Sequence, residues 1–226
     1  MKTILFQYKN IEPITFGTDL ALTIQGTIFG LLLIFYLSKN KERRTLPNFM
    51  WICGFFSVAL FALFGALSHG TNLIALEDVF WPPTMIFGGV AFIFFVTGVI
   101  IYQKESNYGV LLLIPIFLVI LYFIIGFLIN WPFLLWVFLL LICSVIIFIY
   151  AFRAKRQQKI AGKYLIWGLI IILISGVVQA IGGIIGYQTY FGPSNEFLFT
   201  PHNDIFHIVA MIGLTYFFIG FRKDIL

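Results

Sequence analysis

Seven long apolar runs, separated by short polar connections, make up most of the sequence. They lie at about residues 18–38, 48–68, 79–103, 108–128, 133–152, 163–187 and 201–221. Each is close to the roughly 20 residues that a helix needs to cross the hydrocarbon core of a bilayer. The pattern therefore predicts an all-α integral membrane protein in which residues 1–226 form a single bundle of seven transmembrane helices. Thr18 or Asp19 is placed to accept backbone N–H groups at the start of the first helix.

The composition supports the same class. Hydrophobic residues make up 61% of the chain and charged residues 10%, whereas a soluble domain carries roughly a quarter charged residues. The two cysteines, Cys53 and Cys143, each lie inside an apolar run. Packing inside the bundle is therefore their expected role, and a disulfide framework is not expected.

The basic residues predict the orientation of the bundle. Of the 14 Lys and Arg residues, all but Lys2 and Lys9 fall after the first, third, fifth or seventh run. The positive-inside rule then puts the N-terminus outside and the C-terminus in the cytoplasm, with the cytoplasmic membrane of a bacterium as the expected location. Because the net charge of +5 comes from these connections, it does not indicate a nucleic-acid partner.

The three histidines of the chain fall at helix ends that share the outer side of this topology. His69 ends the second run, and His202 and His207 open the seventh. Ionisable side chains at membrane depth are functional candidates, and neutral imidazole is the commonest metal ligand. Three histidines suit a catalytic Zn²⁺, which keeps one position open. Asp78, one short turn after His69, is a candidate to orient a water or to act as general base.

Helical geometry ranks the candidate ligands of the seventh helix. At roughly 100° per residue, His202 and His207 are about 140° apart, so they share one ion only if the helix begins irregularly around Pro201. Asn203 and Asp204 share a face with His207, which makes them candidates for an alternate ligand or for an outer shell. A structural interpretation stays open as well, since His69 suits a wetted helix end and Asp204 a helix N-terminus.

The positions of these residues resemble the pattern of the alkaline ceramidase and adipoQ-receptor superfamily. In that pattern, as here, a His ends the second of seven helices, an Asp opens the third and a His pair opens the seventh. The resemblance implies a seven-helix membrane hydrolase with Zn²⁺ held by His69, His202 and His207. It also implies that Asp78 positions the water that attacks a lipid amide.

The chain departs from the superfamily pattern at two places. The superfamily typically has a Ser four residues before the first His, where this chain has Gly65, with Ser68 adjacent to His69 instead. Its last motif is usually H-x-x-x-H, whereas the spacing here is one residue longer, with Asn203 in the place of the first His.

The ceramidases also hold calcium near the N-terminus, and Glu12 and Asp19 are the candidates for such a site in this chain.

The sequence thus predicts a zinc-dependent intramembrane hydrolase that cleaves an amide or ester bond of a lipid-like substrate. Helices three, five and six are expected to hold an acyl chain, and Ser68, Asn203 and Gln179 to contact the head group. The alternatives are a receptor or sensor with a structural metal site, a transporter or proton relay, haem ligation between His69 and His207, or a purely structural membrane protein.

Overall fold

The computed structural model describes residues 11–71, 74–103, 112–129, 133–186, 188–191 and 197–226. Within these segments the chain forms seven α-helices, a single 3₁₀ turn at Lys41–Arg43, and a short antiparallel hairpin of β1 (Thr189–Phe191) and β2 (Phe197–Phe199). The helices are α1 (Pro13–Lys39), α2 (Leu46–Gly70), α3 (Ile74–Tyr102), α4 (Leu113–Ile129), α5 (Phe133–Arg156), α6 (Ile160–Ile185) and α7 (Pro201–Ile225).

Six of these helices are long and apolar enough to cross a membrane. The remaining one, α4, is an apolar helix of 17 residues. The described part of the chain is therefore a helical bundle of the multi-pass membrane class.

The first helix begins earlier than its apolar run suggests. It starts at Pro13, with Glu12 at the N-cap position. Proline suits a first helical position because its φ is already helical and its missing N–H would have no partner there. As a consequence, Thr18 and Asp19 lie inside α1, and Asp19 faces the interior of the bundle rather than the helix end.

Six helices pack in a closed ring, in the order α1, α2, α3, α5, α6, α7 and back to α1, while α4 packs outside it against α3 and α5. The contact between α1 and α2 is close. A Cβ added to Gly26 would lie 2.9 Å from the carbonyl oxygen of Phe55 and 3.0 Å from the nitrogen of Ala59. Small residues allow such backbone approach between membrane helices.

An aromatic core fills the half of the ring nearest the last turns of α1 and α7. Trp51, Phe55, Phe95, Phe217 and Phe221 are completely or almost completely buried. Trp51 stacks on Phe221 with ring centroids 4.0 Å apart, and Phe55 meets Phe95 edge to face at 5.3 Å. Such pairs add about 0.5–1.5 kcal/mol each beyond the area they bury, so this half is held by packing.

The other half of the bundle carries the histidines and the buried carboxylates Asp19 and Asp204. There the start of α1 meets the end of α2 and the start of α7. The Glu12 N–H donates to the His69 carbonyl (3.1 Å), and the N–H of Leu198, in the strand that precedes α7, donates to the Ile11 carbonyl (2.8 Å). Exposed basic side chains, by contrast, follow the opposite ends of these helices, as at Lys39 and Arg222. We call the first end the histidine end and the second the basic end.

Candidate functional site

A cavity of ≈ 240 Å³ lies between the helices at the histidine end. All three histidines of the chain line it, although they come from two helices that are far apart in sequence. The remaining lining residues include one carboxylate, two amides and several aromatic rings: Asp19, Phe61, Gly65, Trp81, Thr84, Met85, Trp136, Gln179, Asn203 and Phe206.

His207 is fixed at both ring nitrogens by residues of α1. Its Nδ1 lies 3.0 Å from the Thr18 hydroxyl, and its Nε2 lies 3.3 Å from Asp19 Oδ1. Both members of the His207–Asp19 pair are almost completely buried, with side chains 7% and 3% exposed. This pair is the most deeply enclosed part of the site.

The Thr18 hydroxyl suggests one assignment for the His207 proton. It lies 3.0 Å from both the Thr15 carbonyl and His207 Nδ1; with its hydrogen donated to the carbonyl, we assign the Thr18 oxygen as acceptor from His207 Nδ1–H. In a neutral imidazole the other nitrogen, Nε2, then carries a lone pair. In this assignment two acceptors, Nε2 and Asp19 Oδ1, face each other, and a proton or a cation between them would relieve the contact.

His69 is oriented in a similar way, with a carboxylate on one nitrogen. Its Nδ1 is buried and lies 3.3 Å from Glu12 Oε1, a close approach without the geometry of a hydrogen bond. His69 also lines the cavity. A carboxylate on the outer nitrogen of a metal-binding histidine is a common arrangement, because it fixes the ring and raises its basicity.

His202 reaches the cavity over Gly182 of α6. A Cβ on Gly182 would lie 2.1 Å from the Cβ of His202, so only glycine leaves room for this ring. The Nδ1 atom of His202 is buried and makes no hydrogen bond with the described residues. The first turn of α7 is tightened, since the Asn203 N–H donates to the Thr200 carbonyl three residues earlier at 2.9 Å. Both histidines of α7 therefore line one cavity despite their spacing.

A cluster of oxygen atoms lies beside the histidines. The Thr15 hydroxyl donates to Asp204 Oδ1 (3.0 Å), and the Thr200 hydroxyl donates to Glu12 Oε2 (2.7 Å). The two hydroxyl oxygens are 3.1 Å apart. These contacts join the start of α1 to the start of α7 and hold Glu12 next to His69.

The donor atoms can be tested against the Zn²⁺ that the resemblance implies. Bonds of about 2.0–2.2 Å in a tetrahedral arrangement separate two ligand atoms by roughly 3.3–3.5 Å, and His207 Nε2 and Asp19 Oδ1 have this separation. Asp19 Oδ2 is also buried without a hydrogen-bond partner in the described part of the chain. The spacing of this one pair is compatible with two ligands of a zinc ion, and equally with an ordinary imidazole–carboxylate contact.

The structure does not bring a complete set of zinc ligands together. Among the residues that the structure describes, no three His, Cys, Asp or Glu side chains are arranged to hold a metal ion. His69 and His202 line the same cavity but stand away from the pair.

The other residues that the sequence singled out lie in different surroundings. Asp78 is exposed on α3 and is not among the described residues that line the cavity, and Asp204 is buried against Thr15. Ser68 is completely buried, and its hydroxyl makes no hydrogen bond to any residue in the described ranges. Asn203 lines the cavity and accepts a hydrogen bond from Gln179 (3.3 Å).

The sequence interpretation missed that Asp19 and Glu12 lie next to the histidines. They were considered only as a helix start and as calcium ligands; the structure puts Asp19 on His207 and Glu12 on His69. The sequence does contain a signal that Asp19 faces another helix, because Asp19 lies on the same buried face of α1 as Gly26 and Gly30. A carboxylate in register with such small residues faces a neighbouring helix.

The comparisons with known proteins give a family without a function. A family model described as a family of unknown function (DUF6962) matches residues 14–225. No curated protein and no solved structure matches the chain. The matched range contains Asp19 and all three histidines.

Proposed function

The chain belongs to this family of unknown function (DUF6962), and we propose from its site that it is a zinc-dependent hydrolase. In this proposal it cleaves an amide or ester bond of a lipid-like substrate inside the membrane. The observation that carries the proposal is the buried pair of His207 Nε2 and Asp19 Oδ1, 3.3 Å apart, in a cavity that His69 and His202 also line.

The proposal includes a topology of seven spans, with α4 as the shortest and with the histidine end facing outwards. The support for it is the distribution of charge, since exposed basic side chains follow α1, α5 and α7 at the opposite end, as expected on the cytoplasmic side. The cytoplasmic membrane of a bacterium is the location that we propose.

His207 and Asp19 are the pair that would hold the ion, and His69 and His202 line the same cavity. When bound, Zn²⁺ supplies Lewis-acid chemistry that makes hydrolysis of an acyl bond feasible near neutral pH. With Thr18 as acceptor, His207 would take the Nδ1–H form, which would make Nε2 available as a donor atom to the ion.

Asp19 is also the group that we assign to proton transfer. Its Oδ2 atom has no hydrogen-bond partner among the described residues, so it can take a proton from the attacking water and give it to the leaving amine or alcohol. The resemblance implies this role for Asp78. We assign it to Asp19 because Asp19 lines the cavity and Asp78 is exposed.

The surroundings of the cavity favour a substrate with an acyl chain. A second, apolar cavity of ≈ 40 Å³ shares Phe61, Trp136 and Phe206 with the polar one. This second cavity is too small for an acyl chain as it stands, so in the proposal the rings would have to part to admit one, while Asn203 and Gln179 offer amide groups to a polar head group.

The test is turnover of a panel of lipid amides and esters by the purified full-length protein in detergent, followed by mass spectrometry. We expect release of a free fatty acid by the wild type and a loss of at least about 100-fold in the Asp19→Asn variant. Asp224→Asn is the matched control, because Asp224 lies at the basic end, where it accepts from the Tyr102 hydroxyl. It should leave turnover unchanged.

Two results would count against the hydrolase. Equal turnover by wild type and Asp19→Asn would remove Asp19 from the reaction. Stoichiometric zinc without turnover of any lipid amide or ester would favour a receptor or sensor with a structural metal site.

A further inference from the structure

The turn between α5 and α6 concentrates positive charge at the basic end. Five Lys or Arg residues and no Asp or Glu fall within residues 153–163. The turn between α1 and α2 differs, because its residues 39–44 hold four Lys or Arg residues together with Glu42. A positive charge that no acid in the same turn offsets attracts anionic groups.

The backbone holds the turn between α5 and α6 in a tight conformation. The Lys159 N–H donates to the Ala154 carbonyl (3.0 Å), and Gln158 closes the turn with a φ of 59°. A Cβ on Gly162 would lie 2.7 Å from the carbonyl oxygen of Ala151, so the two helices approach closely there. The basic side chains of the turn are therefore carried on a backbone that is fixed by its own contacts.

The arginine at the end of α5 lies on a column of exposed aromatic rings. Phe148 and Phe152 are one helical turn apart, stack with ring centroids 6.4 Å apart, and are 45% and 41% exposed. The Arg156 guanidinium lies over the Phe152 ring, 4.8 Å from its centroid. A guanidinium on a ring face keeps its N–H donors at its edge, where they can form paired hydrogen bonds with a phosphate.

The start of α6 also presents a basic side chain next to an exposed ring. Lys163 is exposed, and Trp167, one helical turn further along, is 51% exposed. Basic and tryptophan side chains near helix ends are typical of the level at which lipid head groups meet acyl chains. The two helices thus present cations beside an exposed apolar surface.

We propose that the turn between α5 and α6 binds the head group of an anionic phospholipid. The phosphate lies against the exposed side chains of Lys155, Arg156 and Lys163. The acyl chains run along the exposed face of Phe148 and Phe152. The occupant is a lipid, because the cations adjoin apolar surface that an acyl chain would remove from water. The site lies at the basic end and depends neither on the proposed hydrolase nor on a metal ion.

These cations also have a purely structural use. They complement the carbonyl dipoles at the end of α5, and they help to orient the bundle in the membrane. Neither use selects one lipid over another in detergent solution. Selective retention of an anionic lipid, lost when the three exposed cations are removed, therefore separates a binding site from the structural use.

The first measurement is native mass spectrometry of the purified full-length protein in detergent, with equal amounts of phosphatidylglycerol and phosphatidylcholine that carry the same acyl chains. We expect the wild type to retain the anionic lipid at least about 10-fold better, and the triple variant Lys155→Gln, Arg156→Gln, Lys163→Gln less than about 2-fold better. Glutamine has a helix propensity close to that of Lys and Arg, so the helices should be kept.

The matched control is the triple variant Lys39→Gln, Lys41→Gln, Arg43→Gln, which removes the same charge from exposed positions of the other basic turn. It should keep the wild-type preference. Equal retention of the two lipids by the wild type would overturn the proposal. An equal fall in both triple variants would also overturn it, because the preference would then follow net charge alone.

The second measurement needs no variant. A phosphatidylglycerol with a photoreactive group is cross-linked to the wild type, and the modified peptides are identified. We expect cross-links within residues 145–167, whereas cross-links confined to the turn between α1 and α2 would overturn the proposal. Glycerol 3-phosphate at the concentration of the lipid should not displace it. Displacement would show that the site binds a soluble phosphate, and the lipid would be refuted as its ligand.

Discussion

A single added methyl group at Gly65 should weaken zinc binding without weakening the fold. Gly65 lies on α2 against Asp19, and a Cβ there would be 3.1 Å from Oδ2 and 3.3 Å from Oδ1 of that carboxylate. Ordinary carbon–oxygen contact is about 3.4 Å, so in Gly65→Ala the carboxylate has to withdraw by about 0.3 Å. Metal–ligand distances tolerate about ± 0.2 Å. The required movement therefore exceeds the tolerance of a ligand.

The stability of Gly65→Ala, unlike its zinc affinity, should be unchanged or higher than that of the wild type. Alanine in place of glycine inside a helix contributes about 0.5–1 kcal/mol, and the added methyl meets the end of one side chain rather than a backbone atom. We expect an unchanged or raised melting temperature in metal-free detergent solution. Zinc affinity should fall about 10-fold or more, which corresponds to about 1.4 kcal/mol.

The assay pairs thermal unfolding with chelator competition on the same samples. Gly176→Ala is the matched control, because Gly176 lies inside α6 and a Cβ there meets nothing within 4 Å. Wild-type zinc affinity in Gly65→Ala would refute the reasoning, since the carboxylate beside this methyl would then not be a ligand.

Three further predictions concern the buried charge, the helix contact and the topology. Asp19→Asn should raise the melting temperature of the metal-free protein, because it replaces a buried carboxylate, whose charge is costly there, by an amide that can donate to Nε2; a lower melting temperature in calorimetry would contradict this. Gly26→Val should cost about 1–3 kcal/mol in chemical unfolding, because its side chain meets the α2 backbone; unchanged stability would argue against the close contact. In a background without the native cysteines, Gln188→Cys should react with an impermeant maleimide in intact cells and Gln157→Cys only after lysis; the reverse pattern would invert the topology.

The helices could be predicted because apolar runs of membrane length are bounded by charged or turn-forming residues. The start of α1 could not, since Pro13 precedes a stretch of mixed polarity and the hydropathy of a run does not locate its first residue. The hairpin of β1 and β2 was also missed. Its three-residue strands are too short to show a period, and β2 depends on a contact with Ile11 that is distant in sequence.

At the site, the sequence placed the histidines at one end but could not select the carboxylate next to them. Asp78 follows His69 closely along the chain, yet it is exposed on α3. Asp19 is far from His207 in sequence and faces it only because α1 packs beside α7. Distance along the chain favoured Asp78, whereas the packing of the helices puts Asp19 against an imidazole. The calcium site at Glu12 and Asp19 stays a prediction.

The central claim is that His207 and Asp19 share a zinc ion, and elemental analysis of the purified full-length protein tests it most directly. We expect about one zinc per chain in the wild type and a loss of most of it in both His207→Ala and Asp19→Asn, with Asp224→Asn retaining the wild-type content. An intact, monodisperse wild-type protein that contains no zinc and takes up none on addition would contradict the claim.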